Sequence, residues 1–418
     1  MVTSPKYTDP DRISFLDNLR YLMVLLVVIL HAASSYSNHA PWWSVKEANE
    51  SSFFFDVVMV LLDVFPMPIL FFIAGYFAIP SYCKNGQRLF LRRKFKRLGL
   101  PLLLMIPIVS PFSGYVYHYT RHGYSSFLSF GEYWLDYMNS ALDFRIKILI
   151  SVDQFNHSHL WFMSLLLFFF IIFSVLARNT VRHEPASPCD KPIEISSTKS
   201  TLAVLTGVGF FTMLSTFIAD SIFANPSNPN PWVSIANILQ FQPGKVVSYT
   251  LYFGMGIYAF QKKWFMAGEL PGRLSLWMVL SILLAFCYLV ALKQLMDGAS
   301  LEIYLVFLFV RSFLSVVSLM MFTKWAYLHW NRTSRLDALL ASNSYYMYIT
   351  HFLIVIILQL ALSFWSDGPV LLKFVIIAVA SIFLSCAIGQ YALKLYPRLS
   401  VIGIYALLII VTMNFNPK

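Results

Sequence analysis

Charge is what this chain has least of. Of its 418 residues only 12% are Asp, Glu, Lys or Arg, about half the share of an ordinary soluble domain. Cysteine is scarce too: Cys83, Cys189, Cys287 and Cys386 form no CxxC pair, and no His/Cys cluster has zinc spacing. That excludes finger and ribbon metal sites, and no metal is expected. Two of the four cysteines fall inside apolar runs, so no disulfide framework is expected. No internal repeat is evident, and no inverted pair of Gly/Pro-broken halves of the transporter kind. A cleavable signal peptide is not expected either. The first apolar run, Phe15 to about Tyr36, is longer than a signal h-region and carries Asp17, Arg20 and His31.

What fills the chain is apolar: 58% hydrophobic residues, with aromatics at 17%. At about 20 residues per membrane helix, this supplies about ten or eleven spans. The expected class is all-α, a polytopic membrane protein forming one domain over 1–418. Spans are expected at 15–36, 53–79, 98–119, 159–177, 200–223, 246–261, 274–292, 302–323, 343–363, 370–393 and 400–413. A net charge of +11 on a soluble chain would suggest nucleic acid; here the basic residues sit between spans, so no nucleic-acid partner is expected. Loops on the N-terminal side carry about 21 Lys and Arg, the opposite set about 7. The positive-inside rule then makes the N-terminus cytoplasmic. In the outer 121–158 loop, aromatics spaced three and four apart predict an amphipathic helix at the interface. The run ANPSNPNPW at 224–232 predicts a rigid turn.

Ionisable groups inside a bilayer are costly, so each is a functional hypothesis. Arg20 and His31 are eleven residues apart, about 16 Å of rise and about three helical turns, so they share a face. Asp17, at i−3, can pair with Arg20. An uncharged buried His31 suits general-base work; the bland alternative is a packing histidine. Asp56 and Asp63 share a face of the second span, and Pro66 and Pro68 break the helix beyond them. Asp63 can line a polar cavity or pair with a cation such as Arg311. His159 opens the HLWF segment, and His351 follows Tyr348 in SYYMYITH. Arg88 to Arg97 holds six basic residues in ten, fitting either a phosphorylated ligand or anionic lipid. Trp42, Trp43 and Trp134 can stack on sugars or belong to an interfacial belt.

In order along the chain, LDNLRYLMVLLVVILH (Asp17 to His31 within it), MPILFFIAGYF, RRKFKRLGLP, HLWFMSLLL and SYYMYITHFLI resemble the segments of membrane acyltransferase family three. The resemblance covers about 12–395. Its HLWF segment and LDNLR opening look most similar to members that succinylate periplasmic glucans in the bacterial inner membrane. It implies acyl-CoA as a donor substrate, with no resident cofactor, and a glucan or other glycan acceptor. It implies His31 as base with Arg20 and Asp17 in the catalytic stripe. Arg92, Arg93 and Arg97 would meet the CoA phosphates, with His351 and Tyr348 beside the donor. Arg311, Asp63, His159 and Trp161 stand as oxyanion or acceptor candidates. The rival class is a proton-coupled secondary transporter, in which the same charges form a relay.

Overall fold

The computed structural model describes residues 13–47, 51–124, 128–183, 197–225, 228–265, 270–298 and 300–414. Lipid offers backbone groups no hydrogen bonds, so each apolar run satisfies its own as a helix. Among the described residues nine helical segments are long and apolar enough to cross a membrane, with a shorter apolar helix at Pro397–Met413. The class is all-α. Large side chains point outward as well as inward. Phe211 on α8 (Thr198–Phe223) is 63% exposed, Ile282 on α10 (Leu274–Met296) 69% and Phe383 on α13 (Val370–Ala387) 70%. Such a surface suits lipid and not water.

The second run is broken as its prolines require. α2 (Phe53–Leu62) ends, and α3 (Pro66–Tyr76) restarts with Pro66 at its first turn. There a proline has no helical N–H to lose. The basic segment is not a loop. It lies in α4 (Ala78–Lys94) and a π-helical turn, Phe95–Gly99, which passes directly into α5 (Leu100–Arg121). Cys83 of α4 is disulfide-bonded, contrary to expectation, to a partner outside the described residues; Cys287 and Cys386 are free.

The 121–158 stretch does form its helix, α6 (Phe130–Asn139). A reciprocal capping box between Ser129 and Glu132 starts it, and it buries Phe130 and Tyr137. It also holds a strand that the pattern did not reveal. β1 (Ile146–Leu149), β2 (Trp232–Ile235) and β3 (Leu239–Phe241) make an antiparallel sheet in the order β1-β2-β3. Ile146 faces Ile235, and Val233 faces Phe241. The remaining helices are α7 (Trp161–His183), α9 (Pro243–Gln261), α11 (Leu301–His329), α12 (Arg335–Ser363) and α14 (Pro397–Asn414).

The axis of the molecule is α1 (Ser14–Ala33), apolar on nearly every face, with Leu16, Leu19, Met23 and Val28 fully buried. It runs parallel to α12, and polar contacts keep the two in step. Tyr21 donates to Asp337 at 2.5 Å, Arg20 reaches the Ala341 carbonyl at 3.3 Å, and His31 meets His351 at 3.0 Å. Asn18 ties the start of α1 to the carbonyls of Trp330 and Arg332 at 2.9 and 3.1 Å. On the other flank α3 and α9 cross at glycines. A Cβ on Gly75 would strike the Phe253 carbonyl, and one on Gly256 the Phe72 carbonyl.

Candidate active site

Three imidazoles converge from three elements. His31 comes from the last turn of α1, His351 from the middle of α12, and His159 from the 3₁₀ turn Ser158–Leu160 before α7. The His31 and His351 rings are nearly coplanar, 4° apart, with Nδ1 of His31 3.0 Å from Nε2 of His351. His159 stands edge-on to both, at 5.1 Å from His351 and 6.5 Å from His31 between centroids. Phe352 closes the cluster, stacked on His159 at 4.5 Å and edge-on to His31 at 5.3 Å.

Hydrogen-bond logic fixes the tautomers of the neutral rings. Nδ1 of His351 lies 3.0 Å from the Met347 carbonyl. A carbonyl only accepts, so this nitrogen carries the hydrogen and Nε2 carries the lone pair. The Nδ1 of His31 must therefore donate, which leaves its own lone pair on Nε2. The chain from the Met347 carbonyl through His351 to His31 ends in a basic nitrogen, with His31 half-buried and His351 fully buried. This is the orienting arrangement a general base needs, with an imidazole in place of a carboxylate.

The other wall is a loop. Residues 37–47 fold over His31, and Trp43 stacks on its ring at 5.2 Å and 27°. Trp43 donates to Gln359 at 2.7 Å, and the amide of Gln359 donates to the His31 and Ala32 carbonyls at 3.0 and 3.2 Å. Asp56 holds the loop through Ser37 and Asn38 at 2.7 and 2.6 Å, Arg121 through the Pro41 and Trp43 carbonyls at 2.7 and 3.0 Å. Lys373, fully buried, pairs with Glu47 at 3.0 Å. Lys46 lies in this loop too; burial holds its pKa below the ordinary lysine value, with Asp56 pulling it back up. Trp43 is thus buried against the His31 ring and not open to a sugar, unlike the 54%-exposed Trp42.

The other expected residues are placed as follows. Asp17 and Arg20 form an ion pair at 3.0 Å near the start of α1, about three turns from His31, and touch none of the imidazoles among the described residues. Tyr348 belongs to the cluster: its hydroxyl donates to the His159 carbonyl, and its own carbonyl lies 3.1 Å from Nε2 of His159. Trp161 stacks on Tyr249 at 5.4 Å. Asp63 and Arg311 make a separate network. Asp63 accepts from Lys245 at 2.8 Å and from Arg311 at 3.2 Å, beside a cavity of about 30 Å³ lined also by Thr212 and Tyr249. That volume is too small for a sugar ring, and Asp63 there is shared between two cations. Arg92, Arg93 and Arg97 are exposed, whereas Lys94 is folded onto the Phe170 ring at 3.8 Å. Tyr345 ties this basic segment to α12: its hydroxyl donates to the Arg97 carbonyl, and the guanidinium lies 5.3 Å from its ring. Tyr345 stands six residues, about 9 Å, below His351 on one helix.

Sequence reasoning missed Gln359 and His157, and it named Trp43 only as a sugar-stacking or interfacial residue and not as a partner of His31. Gln359 carried a signal, a polar side chain in an apolar run eight residues beyond His351. Trp43 carried none that separates it from an interfacial tryptophan. His157 is buried against the three-stranded sheet. Its backbone N–H donates to Gln240 at 2.8 Å and its Nε2 lies 3.0 Å from the Asn237 carbonyl. Burial pushes its pKa down to about 4, opposed in part by the Asn237 carbonyl.

Comparison with known proteins identifies the family. A family model described as an acyltransferase domain matches residues 13–390. Glucans biosynthesis protein C of Escherichia coli K12 is 30% identical over 96 residues, 23% of this chain and 24% of that protein. The same protein from Escherichia coli O1:K1 / APEC is 29% identical over the same length. The chain thus aligns with about a quarter of the curated relatives it matches. No solved structure matches. With the family model spanning nearly all of the membrane helices and every residue of the imidazole cluster, this chain belongs to membrane acyltransferase family three.

Proposed function

We propose that the protein moves an acyl group from cytoplasmic acyl-CoA to a hydroxyl of an extracytoplasmic glycan, with His31 as general base. The observation that carries this reading is the imidazole pair, which leaves the lone pair of His31 on Nε2. The acceptor O–H gives its proton to that nitrogen. The oxygen attacks the thioester carbonyl carbon, the tetrahedral intermediate collapses, and the C–S bond breaks. The departing thiolate takes the proton from the His31 imidazolium. Each proton and electron pair is then accounted for.

The exposed Arg92, Arg93 and Arg97 suit the phosphates of CoA. The donor's arm would run along α12 from Tyr345 to His351, and the Asp17–Arg20 pair lies on the same side of the bundle. The partial likeness to glucans biosynthesis protein C supports a glucan acceptor; a succinyl donor is our reading of the motif likeness. The excess of basic residues on the N-terminal side supports a cytoplasmic N-terminus in a bacterial inner membrane.

The test is single-turnover transfer in detergent from labelled succinyl-CoA to an oligoglucoside. Wild-type protein should yield acylated sugar. His31→Ala should lose about 10²–10⁴ in rate while binding the donor unchanged. Near-normal turnover by His31→Ala would refute the base assignment.

A further inference from the structure

The network of Asp63, Lys245 and Arg311 has no part in the mechanism above. Its cavity of about 30 Å³ is walled from four helices: Asp63 at the end of α2, Thr212 of α8, Gly244 and Lys245 in the first turn of α9, and Arg311 of α11. Two cations and one carboxylate line it, an excess of one positive charge. A lysine carries three N–H groups and an arginine five. Asp63 accepts from Lys245 through both oxygens at 2.8 Å and from Arg311 at 3.2 Å. Its oxygens are thus committed, while the cations keep donors to spare. A second carboxylate, Asp220, stands close to Gly244, but it accepts from Tyr304 at 2.6 Å and is not part of the cavity wall. The first turn of α9 adds the positive end of a 19-residue helix to the same wall.

Thr212 points to what the cavity takes. A helical threonine can return its hydroxyl to the carbonyl four residues back, as Thr216 does to Thr212 at 2.8 Å. The Thr212 hydroxyl makes no such bond. It has no partner among the described residues, on a residue 7% exposed that lines the cavity. A buried hydroxyl left so is costly and uncommon. Size then narrows the ligand. One water needs about 10–15 Å³ of such space, so the cavity has room for about two water-sized bodies. A halide ion fits, whereas phosphate, sulfate and a sugar ring do not. Water would satisfy Thr212 but leave the excess positive charge unmatched. We propose that Lys245, Arg311 and Thr212 hold a halide-sized monovalent anion, which joins α8, α9 and α11 to the break between α2 and α3. The acyltransfer reading does not enter this inference.

Purified full-length protein in detergent is exchanged into sodium gluconate, and sodium chloride or sodium bromide replaces it stepwise at constant ionic strength. The thermal midpoint should rise with either halide and saturate, as binding to the folded state alone requires. Thr212→Val keeps the shape and removes the hydroxyl. It should melt no lower than wild type in gluconate, and it should need about 10-fold more halide, or above, for half of its shift. Anomalous diffraction from wild-type crystals soaked in bromide should place a peak among Lys245, Arg311 and Thr212. A midpoint that does not rise with halide overturns the proposal. An unchanged halide response in Thr212→Val overturns it as well, since the ion then binds elsewhere. Should Thr212→Val not fold, the bromide peak decides alone: bromide in the cavity upholds the site, and water or nothing there refutes it.

Discussion

At the scale of single residues, His351 makes the sharpest claim. If its Nε2 orients His31 by accepting the Nδ1 hydrogen, then His351→Leu should cost about 10²-fold or more in transfer rate. His351→Gln, whose amide oxygen can accept from the same place, should recover part of it. A donor-contact role alone would show as a rise in donor KM with the maximal rate kept. His157 gives a pH prediction outside the membrane. The unfolded imidazole titrates near 6.5, the folded one at about 4. Between those values the unfolded chain holds a proton that the folded one refuses, so stability falls as pH drops from 6.5 to 4. The loss is bounded at about 3 kcal/mol. It should appear as faster amide exchange around residues 155–160, and His157→Gln should flatten the dependence. His31 and its stripe were legible because ionisable groups are rare in apolar runs. The meeting of His31 with His351 and His159 was not, since hydrogen bonds and ring contacts across hundreds of residues leave no mark on local spacing.

Among the elements, the α3–α9 crossing is the most exacting. Gly256 places its Cα against the Phe72 carbonyl, and a backbone cannot swing aside as a side chain can. Gly256→Ala should destabilise by about 1–3 kcal/mol or more, lowering the thermal midpoint in detergent. Gly254→Ala, with open space around it, should not. The basic helix is the other test. Arg93→Ala and Arg97→Ala should each weaken CoA binding by about 1.5–3 kcal/mol, read by calorimetry. Unchanged affinity in both would leave these arginines as topology determinants only. The break at Pro66 was readable from sequence because proline imposes it locally. The junction of α4 to α5 was not, because six basic residues in ten look like a loop when a helix lying at the interface also accommodates them.

For the whole molecule, the helical membrane class followed from apolar runs alone. Eleven spans were expected, where nine described helices are long and apolar enough to cross, with a shorter one at Pro397–Met413. The three-stranded sheet was not legible at all. Its strands are short, and β1 finds its partner on the far side of two helices. Orientation is testable directly. With the native cysteines replaced, a cysteine at the exposed position 88 should resist an impermeant label applied from outside, and one at the exposed position 139 should react. The reverse pattern would invert the molecule and remove the cytoplasmic donor route.

The Gln359 side chain holds two things at once: the indole of Trp43 through its oxygen, and the final carbonyls of α1 through its nitrogen. Any motion that lifts Trp43 from the His31 ring must let go of one end of that amide. Uncovering the His31 ring and loosening the end of α1 that carries it are therefore a single mechanical event. The protein is built as an interlock: the position of Trp43 that bares the His31 ring is not the position in which His31 is held most firmly.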